Sequence, residues 1–165
     1  MSSAILLLAL LAAPADAPVP DEPGLHFVAQ VDVVAGARAG NPPGAPFVFG
    51  GDLLLGFRFD PVRFGVMVGV AAARAPVDFG GFFSVDLVRV KLDSQRTVAL
   101  FTMAEVASRY SPSAMNPFSL VLLGEVGVRA LGISLGVVGG AEIPGGLGDG
   151  EVRLGVDFVE LLSLL

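Results

Sequence analysis

From Gly24 onward, apolar and polar residues alternate with a period of two over most of the chain, which is the pattern of strands with one greasy and one polar face. Across 25–39 the odd positions are Leu25, Phe27, Ala29, Val31, Val33, Ala35 and Ala37, and the even ones include His26, Gln30, Asp32, Gly36 and Arg38. The next segment sets Phe47, Phe49, Leu53, Leu55, Phe57 and Phe59 against Gly50, Asp52, Gly56 and Arg58. A third sets Phe64, Val66, Val68, Val70 and Ala72 against Arg63, Gly65, Met67 and Gly69. Five more segments of this kind follow, at about 77–90, 96–110, 118–129, 133–143 and 151–159, so the pattern predicts eight strands.

The links alternate as well. Those at 40–46, 111–117 and 144–150 are rich in Gly, Pro, Asn and Ser, and a shorter one lies around Ala75-Pro76. Tight turns fall near Asp60-Pro61-Val62, Asp93-Ser94-Gln95 and Leu131-Gly132. Long links at one end, short turns at the other and an even strand count together predict an all-β fold. It is an eight-stranded antiparallel up-and-down barrel with short turns on the periplasmic side and longer external loops.

Alternation alone does not say which face meets solvent; the content of the polar face does. A water-exposed strand face would be rich in Lys, Glu, Thr and Gln, whereas here Gly50, Gly56, Gly65, Gly69, Gly127, Gly136, Gly140 and Gly155 stand between isolated charges. Glycine weakens an exposed strand but makes room inside a narrow barrel. The opposite face is almost unbroken Val, Leu, Phe and Ala, as expected where a charge at mid-bilayer would cost roughly 2–4 kcal/mol. The polar face is therefore expected inside and the apolar face against lipid. Arg89 and Lys91 fall on the lipid parity of the fourth strand, at its turn end, where a long cation reaches headgroups. With no Trp and a single Tyr, aromatic belts would be built from residues such as Phe27, Phe57, Phe59, Phe64 and Phe118.

Composition narrows the class further. Of 165 residues, 53% are hydrophobic and 16% charged, and mean hydropathy is +0.75. An ordinary soluble domain has about 45–50% and about 25%. Nothing past the N-terminus approaches the roughly 18 consecutive apolar residues of a spanning helix. No Cys is present, which excludes a disulfide scaffold, and 10 Lys+Arg against 16 Asp+Glu with no basic run makes nucleic acid an unsuitable partner. An apolar run over 4–13 leads into Ala13-Pro14-Ala15 and Ala15-Asp16-Ala17, which suit signal peptidase, although Met1-Ser2-Ser3 lacks a basic residue. The expected organisation is a signal peptide at 1–15, an extension at 16–23, the barrel at 24–160 and a tail at 161–165.

Over about residues 24–160, in pattern and link lengths but without a specific motif, the chain resembles the small eight-stranded outer-membrane barrels. Examples are the transmembrane domain of outer membrane protein A and its adhesin-like relatives. The resemblance implies a porin-like scaffold whose interior is filled by a charged network. Here that network would comprise Asp32, Asp52, Asp86, Glu105, Glu125, Glu142, Glu151 and Asp157 with Arg38, Arg58, Arg63, Arg109, Arg129 and Arg153. Such paired charges would plug a lumen only just wide enough for side chains. The chain ends Leu161-Leu162-Ser163-Leu164-Leu165 where that group commonly carries a terminal aromatic, Phe158 being the last one.

No catalytic residue, cofactor or metal is expected. The single histidine, His26, opens the first strand, and Asp157 would approach it if the first and last strands meet, but the sequence places no Ser to complete a hydrolytic set. There is no His or Cys cluster for a transition metal. The stretch 145–150 lacks both the Lys-Ser/Thr of a phosphate loop and the spaced carboxylates of a calcium loop. The expected function is structural, anchoring or surface-interacting, in the outer membrane of a Gram-negative envelope. Its partners would be membrane lipids and an envelope or surface partner met through the external loops, with the barrel itself monomeric. Two alternatives stay open at this level. One is a narrow channel or carrier for small or apolar solutes, and the other is a soluble periplasmic ligand-binding barrel with an apolar interior.

Overall fold

A computed structural model describes residues 24–38, 48–71, 76–92, 97–110, 117–143 and 147–163, with the backbone alone at 37–38, 48, 71 and 147–149. The expected signal peptide and extension, the links at 40–46 and 111–116, and the turn at Asp93-Ser94-Gln95 lie outside the described residues. The strands are β1 (His26–Arg38), β2 (Val48–Phe59), β3 (Val62–Ala71), β4 (Val77–Lys91), β5 (Thr97–Tyr110), β6 (Phe118–Ala130), β7 (Ile133–Ile143) and β8 (Leu147–Asp157). Each pairs antiparallel with the next and β8 pairs with β1, so the sheet closes into the expected up-and-down barrel.

The register sets its shape. Followed from strand to strand, Val28 pairs with Gly56, then Gly65, Phe82, Glu105, Leu123, Gly140, Asp149 and finally Arg38. The walk returns to β1 ten residues beyond its start, a shear number of 10. Eight strands with that stagger tilt by about 40° and enclose a backbone cylinder of about 8 Å radius, a lumen that side chains can fill.

The two parities separate as the residue pattern predicts. Odd residues of β1, β2 and β7 and even residues of β3, β6 and β8 point outward, with Val66, Val126, Leu135, Val152 and others half or more exposed. Among the described residues, no Asp, Glu, Lys or Arg occupies an outward position of any strand between its ends. Outward aromatics gather towards the two ends: Phe57 lies 6.1 Å from Phe27 and 6.3 Å from Phe64, and Tyr110 lies 5.1 Å from Phe118 at the other end. Inside, the charges share the space with a buried apolar cluster that includes Leu54, Met67, Phe82, Phe101, Met103, Val121 and Val138. The alternative of an apolar interior is thereby corrected, because Asp32, Arg63, Glu105, Glu125, Arg129 and Arg153 are buried there too.

The lumen glycines have a steric reason. A Cβ on Gly136 would strike the Glu125 carboxylate, and one on Gly155 would strike Asp32 and Ser134. These carboxylates lie flat over the neighbouring strand, so the space beside each one is already taken.

Three features differ from the residue pattern. β8 starts at Leu147, so most of the expected link at 144–150 is strand. It ends at Asp157, and 158–162, expected as the end of the last strand and the start of a tail, form the helix α1 (Phe158–Leu162). The carboxylate of Asp157 caps that helix by accepting from the Val159 and Glu160 amides at 3.1 and 3.2 Å. The third difference is a bulge in β4 between Asp86 and Val88. It leaves Leu87 and Val88 both outward, at 57% and 54% exposure, and turns Arg89 inward. Arg89 therefore does not face lipid; it belongs to the lumen mouth. Lys91 is exposed at the end of β4.

Candidate functional site

The inward charges sort into three tiers. Nearest the long links, Arg109 forks onto Asp78 with two bonds of 2.8 Å and donates to Glu142 at 2.9 Å. The hydroxyl of Ser119 donates to the other Glu142 oxygen at 2.5 Å. This planar, bidentate pairing is what a guanidinium does best with a carboxylate. Asp78 shares the inward parity of Asp86 on β4, so alternation alone could have found it.

At mid-height one guanidinium serves four carboxylates. Arg153 lies 3.0 Å from Asp52 and 3.2 Å from Glu125, bonds Glu105 through both terminal nitrogens, and stands 3.8 Å from Asp32. Gln30 donates to Asp32 at 2.7 Å and supports it from below. The second oxygen of Asp32 and the Nε of Arg153 have no hydrogen-bond partner. Glu151 is also buried, two residues before Arg153 on the same face of β8. Among the described residues, no group of three or more His, Asp or Glu is arranged to hold a metal ion.

At the short-turn end the charges form a chain of alternating sign. Arg129 meets Asp86 at 2.9 Å, Asp86 meets Arg89 at 2.6 Å, and Arg89 and Arg58 both bond Asp60. Arg58 continues to Glu160 at 3.6 Å, Glu160 to Arg63 at 3.0 Å, and Arg63 to Asp157 at 3.0 Å. Asp157 then hands over to the helix amides it caps. Arg129 also lies over the Phe101 ring, 4.2 Å from its centroid. Partial burial raises the Asp60 carboxyl, but the hydrogen bonds from Arg89 and Arg58 outweigh it and hold the group well below its ordinary 3.8.

Of the fourteen residues expected in the network, the structure places thirteen inside these tiers or beside them; the side chain of Arg38 lies outside the described residues. The residue pattern missed Asp60, Asp78, Arg89 and Glu160. Glu160 had a signal, since Asp157-Phe158-Val159-Glu160 is an N-cap followed three residues later by Glu, a helix start rather than a strand end.

A cleft of about 420 Å³ opens at the short-turn mouth, lined among others by His26, Arg58, Asp60, Asp157, Glu160 and Ser163. It brings a histidine, an aspartate and a serine to one place, but not as a relay. One oxygen of Asp157 is taken by Arg63 and the other by helix amides, while the Ser163 hydroxyl donates to the Glu160 carbonyl at 2.7 Å.

Fold and lumen together define a closed, eight-stranded antiparallel barrel, apolar outside and charged within. A solved structure resembling it is that of a de novo designed protein, TMB2.3, determined by solution NMR. The two are 14% identical, the match covers 84% of this chain and 98% of that one, and the TM-score is 0.48. No protein-family model and no curated protein matches the chain.

Proposed function

We propose that this chain is an outer-membrane barrel protein of a Gram-negative envelope, exported by the segment 1–15. In this reading its role is structural, anchoring or surface-interacting, and its lumen is plugged rather than open. The observation that carries the proposal is the outward wall, which among the described residues holds no Asp, Glu, Lys or Arg between the strand ends. Only helices and closed barrels satisfy their backbone in lipid, and this sheet has no free edge. Strands of 10 to 15 residues tilted by about 40° match an apolar band about 25 Å tall. Support for the plug is that Asp32 and Arg153 are 0% and 1% exposed. The reading assigns no catalysis, cofactor or metal, takes lipid as the main partner, treats the barrel as a monomer, and leaves any envelope partner to the loops at 40–46 and 111–117.

Cell fractionation tests it directly. The mature chain is expected in the outer-membrane fraction with heat-modifiable gel migration, and Val137→Arg, at the middle of the wall, should cost about 2–4 kcal/mol of folding stability in lipid vesicles. Recovery from the periplasm, or a Val137→Arg variant that folds in vesicles as well as Val137→Leu, would reject the membrane reading. Reproducible nanosiemens-scale openings from purified monomer in planar bilayers would replace the plug by the channel alternative.

A further inference from the structure

Helix α1 carries an apolar face that the described residues leave partly exposed. Phe158, Leu161 and Leu162, at the i, i+3, i+4 spacing that shares one helix face, are 47%, 37% and 66% exposed. Glu160, off that face, is turned into the mouth by Arg63 and Arg58. The helix is firmly placed. The Asp157 amide donates to the Gly132 carbonyl at 2.7 Å, and a Cβ on Gly132 would come within 2.9 Å of both the Asp157 carbonyl and the Leu161 amide. Gly132 adopts φ +75 in the β6–β7 turn, so only glycine lets turn and helix approach this closely.

The apolar face continues the barrel wall. Phe158 follows Val152, Leu154 and Val156 on the outward parity of β8, and Leu131, beneath outward Ile133, adds an exposed apolar side chain from the turn on which the helix rests. The only acid of the helix is drawn into the lumen mouth by ion pairs, and what remains outward is apolar and contiguous with the wall.

We propose that α1 is an interfacial anchor. It lies in the membrane plane at the short-turn end with Phe158, Leu161 and Leu162 in the boundary between headgroups and acyl chains, and it fixes how deep the barrel sits. This rests on the membrane reading above. Helices of this type lodge about 5–10 Å into that boundary.

The chain contains no Trp, so one introduced at a time reports its own depth. Leu162→Trp and Val137→Trp, each in the full chain folded into phosphatidylcholine vesicles, would be compared for quenching by lipids brominated near the headgroup and near the chain end. Leu162→Trp should emit at a blue-shifted wavelength and be quenched more by the shallow bromines, and Val137→Trp more by the deep ones. If Val137→Trp is quenched by bromines while Leu162→Trp is quenched only by aqueous iodide, the anchor is overturned and the membrane reading stands, leaving the helix face to a soluble partner. If neither is quenched by bromines, the membrane reading itself fails and the anchor with it. Leu161→Trp repeats the measurement should Leu162→Trp misfold.

Discussion

The short-turn mouth and the middle of the lumen use the same residue types in opposite ways. At the mouth, Arg58, Arg63, Arg89 and Arg129 alternate with Asp60, Asp86, Asp157 and Glu160, so that most charges touch two of opposite sign. In the middle, Asp32, Asp52, Glu105 and Glu125 converge on Arg153. A chain is redundant except at its ends: deleting an inner link leaves an inner neighbour with another partner, and only Arg129 and Asp157 depend on a single ion pair. A hub is not, because all four acids share one ion-pair partner at its centre.

The largest effect should therefore come from Arg153→Met. It leaves four largely buried carboxylates facing one another and should cost about 3–5 kcal/mol, the range for removing one partner of a buried ion pair. Urea unfolding of the purified folded barrel measures it, and a loss no larger than that of Arg63→Met would break the distinction between hub and chain.

How much of this was readable beforehand follows from the same contrast. Strand number, parity and the identity of most lumen charges lie in a period-two pattern that any eight-stranded solution must satisfy. Which charges meet depends on stagger, and stagger is a property of pairing between strands: Arg153 reaches Glu105 across the lumen from β8 to β5, which no local spacing encodes. The bulge that turns Arg89 inward falls within Asp86-Leu87-Val88-Arg89-Val90. No Gly or Pro marks the slip; its one sign is the apolar doublet Leu87-Val88, across which the polar positions pass from even at Asp86 to odd at Arg89 and Lys91. Glu160 was hidden for a different reason, because alternation through Phe158 imitates a strand while Asp157 and Glu160 carry the competing helix-start signal.

A second, smaller effect separates the regions by sign. Asp86→Asn removes a link of the chain, leaving Arg129 without its charged partner, and should destabilise by about 1.5–3 kcal/mol. Glu125→Gln relieves like-charge crowding at the hub while keeping an acceptor for Arg153, and should be neutral or stabilising. Unfolding midpoints of the two variants sharpen the comparison if they move in opposite directions; equal losses would mean that the middle tier is as closely matched as the mouth.

The smallest effect is the most diagnostic of the chain because it depends on pH. Asp60 sits in the β2–β3 turn, outside the spanning strands, and accepts from both Arg58 and Arg89, which hold its carboxyl below the ordinary 3.8. A folded-state value below the unfolded one means that the unfolded chain takes up the proton first as pH falls. The stabilisation is therefore complete well above 3.8 and is lost progressively as acid carries the solution below 3.8 towards the depressed folded value. Asp60→Asn cannot titrate, so wild type should be more stable than the variant near neutral pH, and the gap should narrow below about pH 4. Because the side chain is 24% exposed, solvent screens part of the interaction and the gap should be modest, on the order of 1 kcal/mol or less. Unfolding midpoints of both proteins at neutral and strongly acid pH check it. A gap that widens on acidification would mean that the Asp60 carboxyl is held by burial rather than by its two arginines, and the chain of alternating charges would be broken at that link.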